Sequence, residues 1–199
     1  MNNRIPDKED WLKPNNMIRL YSRGAFPMAD EITGYINWYL PEIRTIIPLD
    51  KYNIPRSLNK VLKEERFEFR FDYDFLSIVK GCAHRDQTWI SQRLIEAYLE
   101  INKLGYVHTV ETWENGKLVG GLYGISYGGA FFGESMFSKV PQASKAALVK
   151  LIEHLNGKNF VMLDVQYMTP HLKMFGAKEI SFEEYNRLLQ ICYKADCNF

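Results

Sequence analysis

The chain has 199 residues, 25 Lys+Arg against 24 Asp+Glu, and 46% apolar residues, enough for one solid core with a small addition and too little for two full-sized domains. Its formal charge of +1 excludes a polycationic nucleic-acid coat and an acidic disordered tail. Counted by segment, residues 51–103 carry 10 basic and 8 acidic side chains, against 6 and 7 in 1–50 and 9 and 9 in 104–199, so any electrostatic footprint is expected in the middle.

Residues 1–50 are punctuated by Pro and Gly, and a compositional seam lies near Pro48 to Pro55. They are read as a small N-terminal domain with little regular structure, and 51–199 as the main domain. There, Phe67, Phe69, Phe71 and Tyr73 alternate with Glu68, Arg70 and Asp72, the period of a half-buried strand with an aromatic face. Asp74 is placed to cap a short helix carrying Phe75, Leu76, Ile78 and Val79. Ser91 is placed to cap a longer one, whose Leu94, Ala97, Tyr98, Ile101 and Leu104 keep helical spacing until Gly105. Residues 107–113 and 118–126 flank Asn115-Gly116, the dipeptide of a type I′ hairpin turn. Gly128-Gly129 then leads into a third strand, 130–136. Ala147, Leu148, Leu151, Ile152 and Leu155 give a helix face closed by Gly157, followed by a buried strand over 160–165. Thr169-Pro170 opens a short helix ended by Gly176, and Ser181 with Glu184 has the spacing of a capping box for the last helix.

Helices on a mostly antiparallel sheet make the chain α+β. A helix and then a strand directly after a three-strand meander resembles the GCN5-related N-acyltransferases. Three cysteines, Cys82, Cys192 and Cys197, include no C-x-x-C pair and read as free thiols in a reducing cytoplasm. The first twenty residues lack the apolar run of a signal peptide, and no stretch nears the roughly 18 apolar residues of a membrane span. His84, His108, His154 and His171 show no zinc-ligand spacing, so no zinc site is expected. Ser135 sits in Gly133-Glu134-Ser135-Met136-Phe137, where a nucleophile elbow needs Gly in place of Phe137. The helix at 143–155 lacks the glycine-bearing loop that cradles the pyrophosphate of coenzyme A.

Two places hold polar groups in apolar company. Glu134 lies between Phe131-Phe132 and Met136-Phe137, and a buried carboxylate is costly unless paired, which marks an ion pair or a functional site. Asp164 and Gln166, two apart at the end of a strand, project on one face about 7 Å apart, although Asp164 also fits a strand-end capping role. Together they suit an amine nucleophile beside an apolar acyl pocket.

In chain order, Arg23-Gly24-Ala25-Phe26-Pro27-Met28, Gly81-Cys82-Ala83, Thr88-Trp89-Ile90, Gly120-Gly121-Leu122-Tyr123-Gly124, Phe132-Gly133-Glu134-Ser135-Met136-Phe137-Ser138, Ala143-Ser144-Lys145 and Leu163-Asp164-Val165-Gln166 resemble the leucyl/phenylalanyl-tRNA–protein transferases. The resemblance implies transfer of leucine or phenylalanine, with some methionine, from Leu-tRNA or Phe-tRNA to proteins with an N-terminal Arg or Lys, marking them for degradation. It implies that Glu134, Asp164 and Gln166 are the active-site residues, working on an already activated ester so that no metal or other cofactor is needed. Either Asp164 polarises Gln166, whose carbonyl draws the proton from the amine, or Gln166 only accepts a hydrogen bond that orients the amine and the proton leaves through the ribose hydroxyl or water. Glu134 would bind either the acceptor's cationic groups or the aminoacyl moiety. It also implies a pocket for the aminoacyl side chain lined by Leu122, Phe131, Met136, Leu148, Leu151, Leu155 and Leu163, residues that would pass equally as core. Trp38, Tyr39 and Trp89 fall where the family carries aromatics that stack the terminal adenosine. Here Trp-Tyr stands where Trp-Trp is usual, and Gln87 where Gly commonly precedes Thr-Trp-Ile.

The phosphate contacts fall in the charged middle: residues 51–70 hold six basic and three acidic side chains. Arg56, Lys60 and Lys63 follow helical spacing and suit an acceptor stem, or an ordinary solvated helix face. Two other readings of the chain are an acyl-CoA-dependent amine N-acetyltransferase and a non-catalytic RNA- or peptide-binding module.

Overall fold

The computed structural model describes residues 3–5, 9–30, 32–85 and 88–199; Gln87 lies outside them. A seven-stranded sheet runs through the molecule in the order β10-β4-β9-β8-β7-β6-β5. Its strands are β4 (Ile43–Ile47), β5 (Glu68–Phe71), β6 (Val107–Glu114), β7 (Lys117–Tyr127), β8 (Ala130–Ser138), β9 (Met162–Gln166) and β10 (Lys178–Ser181). All neighbours are antiparallel except β8 and β9, which are parallel and joined by helix α5 (Ala143–Gly157). A three-stranded sheet, with β3 (Ile36–Leu40) between β1 (Asn3–Ile5) and β2 (Phe26–Ala29), packs at the N-terminal side with α1 (Pro14–Tyr21). Residues 1–50 thus hold more regular structure than their punctuation suggests, and β4 is an inner strand of the large sheet.

Local chemistry accounts for most boundaries. The Asp74 side chain accepts from Ser77 N (3.0 Å) to open α3 (Phe75–Ala83), and Ser91 accepts from Leu94 N (3.3 Å) to open α4 (Gln92–Asn102). Asn115 and Gly116, at φ of 50° and 71°, make the β6–β7 turn. Thr169 and Ser181 cap α6 (Pro170–Lys173) and α7 (Phe182–Cys192). The end of α5 differs from expectation: Gly157 is its last residue, and Asn159 at φ 60° makes the left-handed turn. The aromatic face of β5 is graded, from buried Phe67 to exposed Tyr73, because β5 is the sheet's edge strand.

The sheet separates two cores. One, against α1, α3, α4 and α7, contains Phe132, Tyr123, Ile78, Tyr98 and Tyr185. The other, against α5 and α2 (Arg56–Lys63), contains Phe131, Leu122, Leu163, Leu151 and Leu155. Neighbouring residues Phe131 and Phe132 point to opposite cores, as a strand's period of two requires.

Candidate active site

Two irregularities lie side by side in the sheet. On β8 the pairing with β7 steps from Gly124–Gly133 to Tyr123–Ser135, which leaves Glu134 as the extra residue of a β-bulge. On β9 the pairing with β4 steps from Ile46–Asp164 to Thr45–Gln166, which leaves Val165 extra. The parallel ladder between β8 and β9 ends at Phe132–Asp164, so beyond that point the strands part. Glu134 and Gln166 face each other across the gap, with Gln166 Nε2 donating to Glu134 Oε1 at 3.1 Å. Gln166 holds a left-handed φ of 61°, a conformation that turns the chain out of the strand.

Glu134 is 7% exposed. Its Oε2 accepts from the Tyr98 hydroxyl at 2.9 Å, and that hydroxyl lies 2.9 Å from the Tyr21 hydroxyl in the core. Burial pushes the Glu134 carboxyl up to about 8, against the opposing hydrogen bonds from Tyr98 and Tyr21. The same burial raises Tyr21, Tyr98 and Tyr123 well above the usual phenol range, so all three stay neutral.

Asp164 is fully buried and anchors the backbone beside it. Its Oδ1 accepts from Gln166 N at 2.8 Å, while its Oδ2 takes the Tyr185 hydroxyl at 2.6 Å and an ion pair with Arg44. Arg44 is itself fully buried, its guanidinium between the rings of Phe26 (4.8 Å) and Tyr185 (4.7 Å). Burial works to lower the Arg44 pKa, and the Asp164 carboxylate and Tyr185 hydroxyl outweigh it, so the cation is kept. Asp164 therefore touches the main-chain N–H of Gln166 rather than its side-chain amide.

The gap opens into a cavity of about 750 Å³, within the usual range of about 300–1,000 Å³ for small-molecule sites. Of the expected apolar lining, Leu122, Met136, Leu148, Leu151 and Leu163 are at its wall. Met136 joins Leu122 there because the bulge at Glu134 reverses the strand's alternation. Phe131 and Leu155 are not at the wall: both are fully buried in the α5 core, where Phe131 stacks on Phe199 at 5.4 Å. Trp89 is at the wall and half-buried. Trp38 is 0% exposed, packed edge-on against Tyr21 at 5.6 Å, and offers no face to a base. It is on the middle strand of the small sheet, whose inner face it shares with Ile36. Tyr39 lies one layer behind the wall, stacked on Phe26, which in turn meets the cavity residue Tyr167 at 5.6 Å. Arg56, Lys60 and Lys63 are exposed on α2, whose Ser57 lies 3.5 Å from Gln142 at the cavity rim.

Sequence reading missed Tyr98, Tyr21, Arg44, Tyr185 and Tyr167. Arg44 carried the same signal as Glu134, a charge amid Ile43, Ile46 and Ile47. Tyr21, Tyr98 and Tyr185 look like parts of ordinary apolar helix faces until their hydroxyls are located, and Tyr167 lies in the bend just after β9. No group of three or more metal-ligating side chains is gathered among the described residues.

A largely apolar cavity, with a buried carboxyl and a side-chain amide at a parted pair of strands, has the parts of an acyl-group transferase. The family model for leucyl/phenylalanyl-tRNA protein transferase matches residues 46–190, and that for the family's N-terminal domain matches residues 11–42. The leucyl/phenylalanyl-tRNA–protein transferase of Gloeothece citriformis is 45% identical over 185 residues, covering 92% of this chain and 96% of that protein. That of Herpetosiphon aurantiacus is 45% identical over 189 residues, covering 94% and 98%. Among solved structures, L-PGS from Bacillus licheniformis aligns with a TM-score of 0.44 at 12% identity, covering 77% of this chain and 50% of that chain. The chain belongs to the leucyl/phenylalanyl-tRNA–protein transferase family and is an aminoacyltransferase.

Proposed function

We propose that the protein transfers leucine or phenylalanine, and some methionine, from its aminoacyl-tRNA to the N-terminal Arg or Lys of an acceptor protein, creating an N-degron. The observation that carries this reading is the Glu134–Gln166 pair at the mouth of an apolar cavity. The ester in the donor is already activated, so the protein has to orient the amine and move one proton.

The aminoacyl side chain enters the apolar end, between Leu148, Leu151 and Leu163, and the ester carbonyl lies near the gap. Because Gln166 Nε2 donates to Glu134, Gln166 Oε1 is turned toward the acceptor and receives an amine N–H. The amine attacks the ester carbon, the C–N bond forms, and the bond to the ribose oxygen breaks. Glu134 takes the amine proton and returns one to the leaving ribose oxygen. Its pKa of about 8 matches the about 7.7–8.0 of an α-ammonium group, which makes the first transfer nearly thermoneutral. Asp164, fixed by Arg44 and Tyr185, holds the backbone that aims Gln166.

Trp89 and Tyr167 offer aromatic surface at the wall for the terminal adenosine, and exposed Arg56, Lys60 and Lys63 suit the acceptor-stem phosphates. Residues 1–50 form one wall of the site, a reading supported by Tyr21 behind Tyr98 and by Arg44 behind Asp164. The order β5-α3-α4-β6-β7-β8-α5-β9, with β8 and β9 parallel and parted, supports an N-acyltransferase-like architecture. No described helix is long and apolar enough to cross a membrane, and dependence on charged tRNA fits a cytoplasmic enzyme.

The test offers radiolabelled leucyl-tRNA, phenylalanyl-tRNA or acetyl-CoA with an Arg-initiated peptide. Label is expected in the peptide from the two tRNAs. Transfer from acetyl-CoA alone would favour the acetyltransferase reading, and transfer from none would favour a binding module.

A further inference from the structure

We propose that the Tyr123 hydroxyl is held in reserve for the reacting form of Glu134: it donates a hydrogen bond to that carboxylate once the proton has left, and so sets the pH at which the enzyme works. Tyr123 is then a positioning residue, which acts on the amine through Glu134. It is fully buried, yet its hydroxyl has no hydrogen-bond partner among the described residues. An unpaired buried hydroxyl is costly, and phenylalanine would fill the same space without one, so packing does not account for the oxygen.

Tyr123 stands where the site is irregular. It pairs with Ser135 at the step in the β7–β8 register, which puts it opposite the bulge that Glu134 makes. Its ring meets that of Tyr98 edge-on at 5.4 Å, and Tyr98 is the residue whose hydroxyl donates to Glu134. The Tyr98 hydroxyl comes near that of Tyr123, but its hydrogen is on Glu134 and its oxygen accepts from Tyr21.

What the Tyr123 hydrogen lacks is an acceptor, and ionised Glu134 has acceptor sites to spare. The carboxylate has about four lone-pair sites, and Gln166 Nε2 and the Tyr98 hydroxyl use two of them. A hydroxyl hydrogen turns about its C–O bond to suit its surroundings, so Tyr123 adds a third donor when the charge appears. Hydrogen bonds to an ionised group are roughly twice as strong as neutral ones, so this one favours loss of the Glu134 proton.

The other charged and titratable groups around the pair leave the range from about pH 6 to 9 to Glu134. Arg44 on β4 and Asp164 on β9 are joined to each other. Cys82 on α3 is pushed up to about 12 by burial, and Arg85, just after α3, is bonded to Ser135. Burial keeps Tyr21 on α1, Tyr98 on α4 and Tyr123 itself neutral throughout.

This inference rests on the functional reading above, and two measurements keep them apart. Single-turnover leucine transfer from leucyl-tRNA to an Arg-initiated peptide is followed from pH 6 to 9 in wild type, Tyr123→Phe, Glu134→Gln and the double variant. Tyr123→Phe should move the midpoint of the rise up by about one pH unit, which is about tenfold slower transfer at pH 7. In the Glu134→Gln background it should change nothing further, because a glutamine does not ionise. Protein with 3-fluorotyrosine at position 123, a stronger donor of nearly the same shape, should move the midpoint down, and it keeps the test available if Tyr123→Phe misfolds. The second measurement is thermal denaturation, which needs no substrate: the stability of Tyr123→Phe relative to wild type should fall between pH 6 and 9. A relative stability that is the same at both pH values, or an unmoved midpoint in folded variants of an active enzyme, would overturn the proposal. A pH-dependent difference in stability with no leucine transfer by wild-type enzyme would leave the Tyr123–Glu134 bond standing and overturn the transferase reading.

Discussion

Glu134, Asp164 and Gln166 are three polar residues with three different supports, and their variants are expected to separate. Glu134 depends on desolvation. The folded protein holds its proton up to about pH 8, whereas the unfolded carboxyl releases it near 4.5. Folding therefore takes up a proton in that window, and stability falls as pH rises from about 4.5 to about 8. Thermal denaturation across this range should show the fall in wild-type protein and a flatter line in Glu134→Gln. Asp164→Asn would leave the buried Arg44 cation without its counter-charge, a loss expected at about 3–5 kcal/mol in denaturant unfolding. Gln166→Glu keeps the size and the acceptor oxygens but faces Glu134 with a second carboxyl, so single-turnover transfer should slow. An unchanged rate in a folded Gln166→Glu protein would remove any direct role for that side chain.

At the level of elements, the site exists because β8 and β9 part where each carries an extra residue, and the small N-terminal elements brace the opening. Gly24, at φ 80°, approaches Tyr185 so closely that an added Cβ would lie 2.4 Å from the Tyr185 ring. Gly24→Ala must therefore move the tyrosine that holds Asp164, in addition to straining its own backbone. Its cost is expected to exceed about 1 kcal/mol in unfolding experiments, with a lower kcat and little change in KM for tRNA. The sequence carried the meander, the caps and helix α5, because each is set by local patterning. It did not carry β4, a five-residue run between Pro41 and Pro48 that reads as a loop until β9 and β10 flank it. Nor did it carry β10, whose Lys178-Glu179-Ile180-Ser181 has one apolar residue because it lies at the sheet's edge. The bulge at Glu134 was equally invisible, since a misplaced carboxylate marks a position and not its neighbours. Trp38 and Trp89 show the same boundary: both are tryptophans in matching segments, and only packing decides that one is core and the other faces the cavity.

For the whole molecule, a net charge of +1 and a local basic face are compatible demands on an enzyme that must hold one tRNA end and then release it. Arg56, Lys60 and Lys63 are exposed on α2, and the exposed Lys60–Glu64 pair at 3.9 Å contributes little to stability. Replacing all three by Ala should weaken tRNA binding at low salt and flatten the dependence of affinity on salt by up to about two to three counterions, with the thermal midpoint nearly unchanged. Binding with the wild-type salt slope would move the tRNA path to another face. The central claim is narrower than the path of the tRNA: peptide-bond formation depends on a proton accepted by Glu134 beside Gln166. Its most direct test is the single-turnover rate of leucine transfer from leucyl-tRNA to an Arg-initiated peptide, followed from pH 6 to 9 in wild-type and Glu134→Gln enzyme. The wild-type rate should rise with pH to a plateau above about pH 8, and the variant should fall by about 10²-fold or more. A Glu134→Gln enzyme with the wild-type rate and the wild-type pH profile would contradict the account.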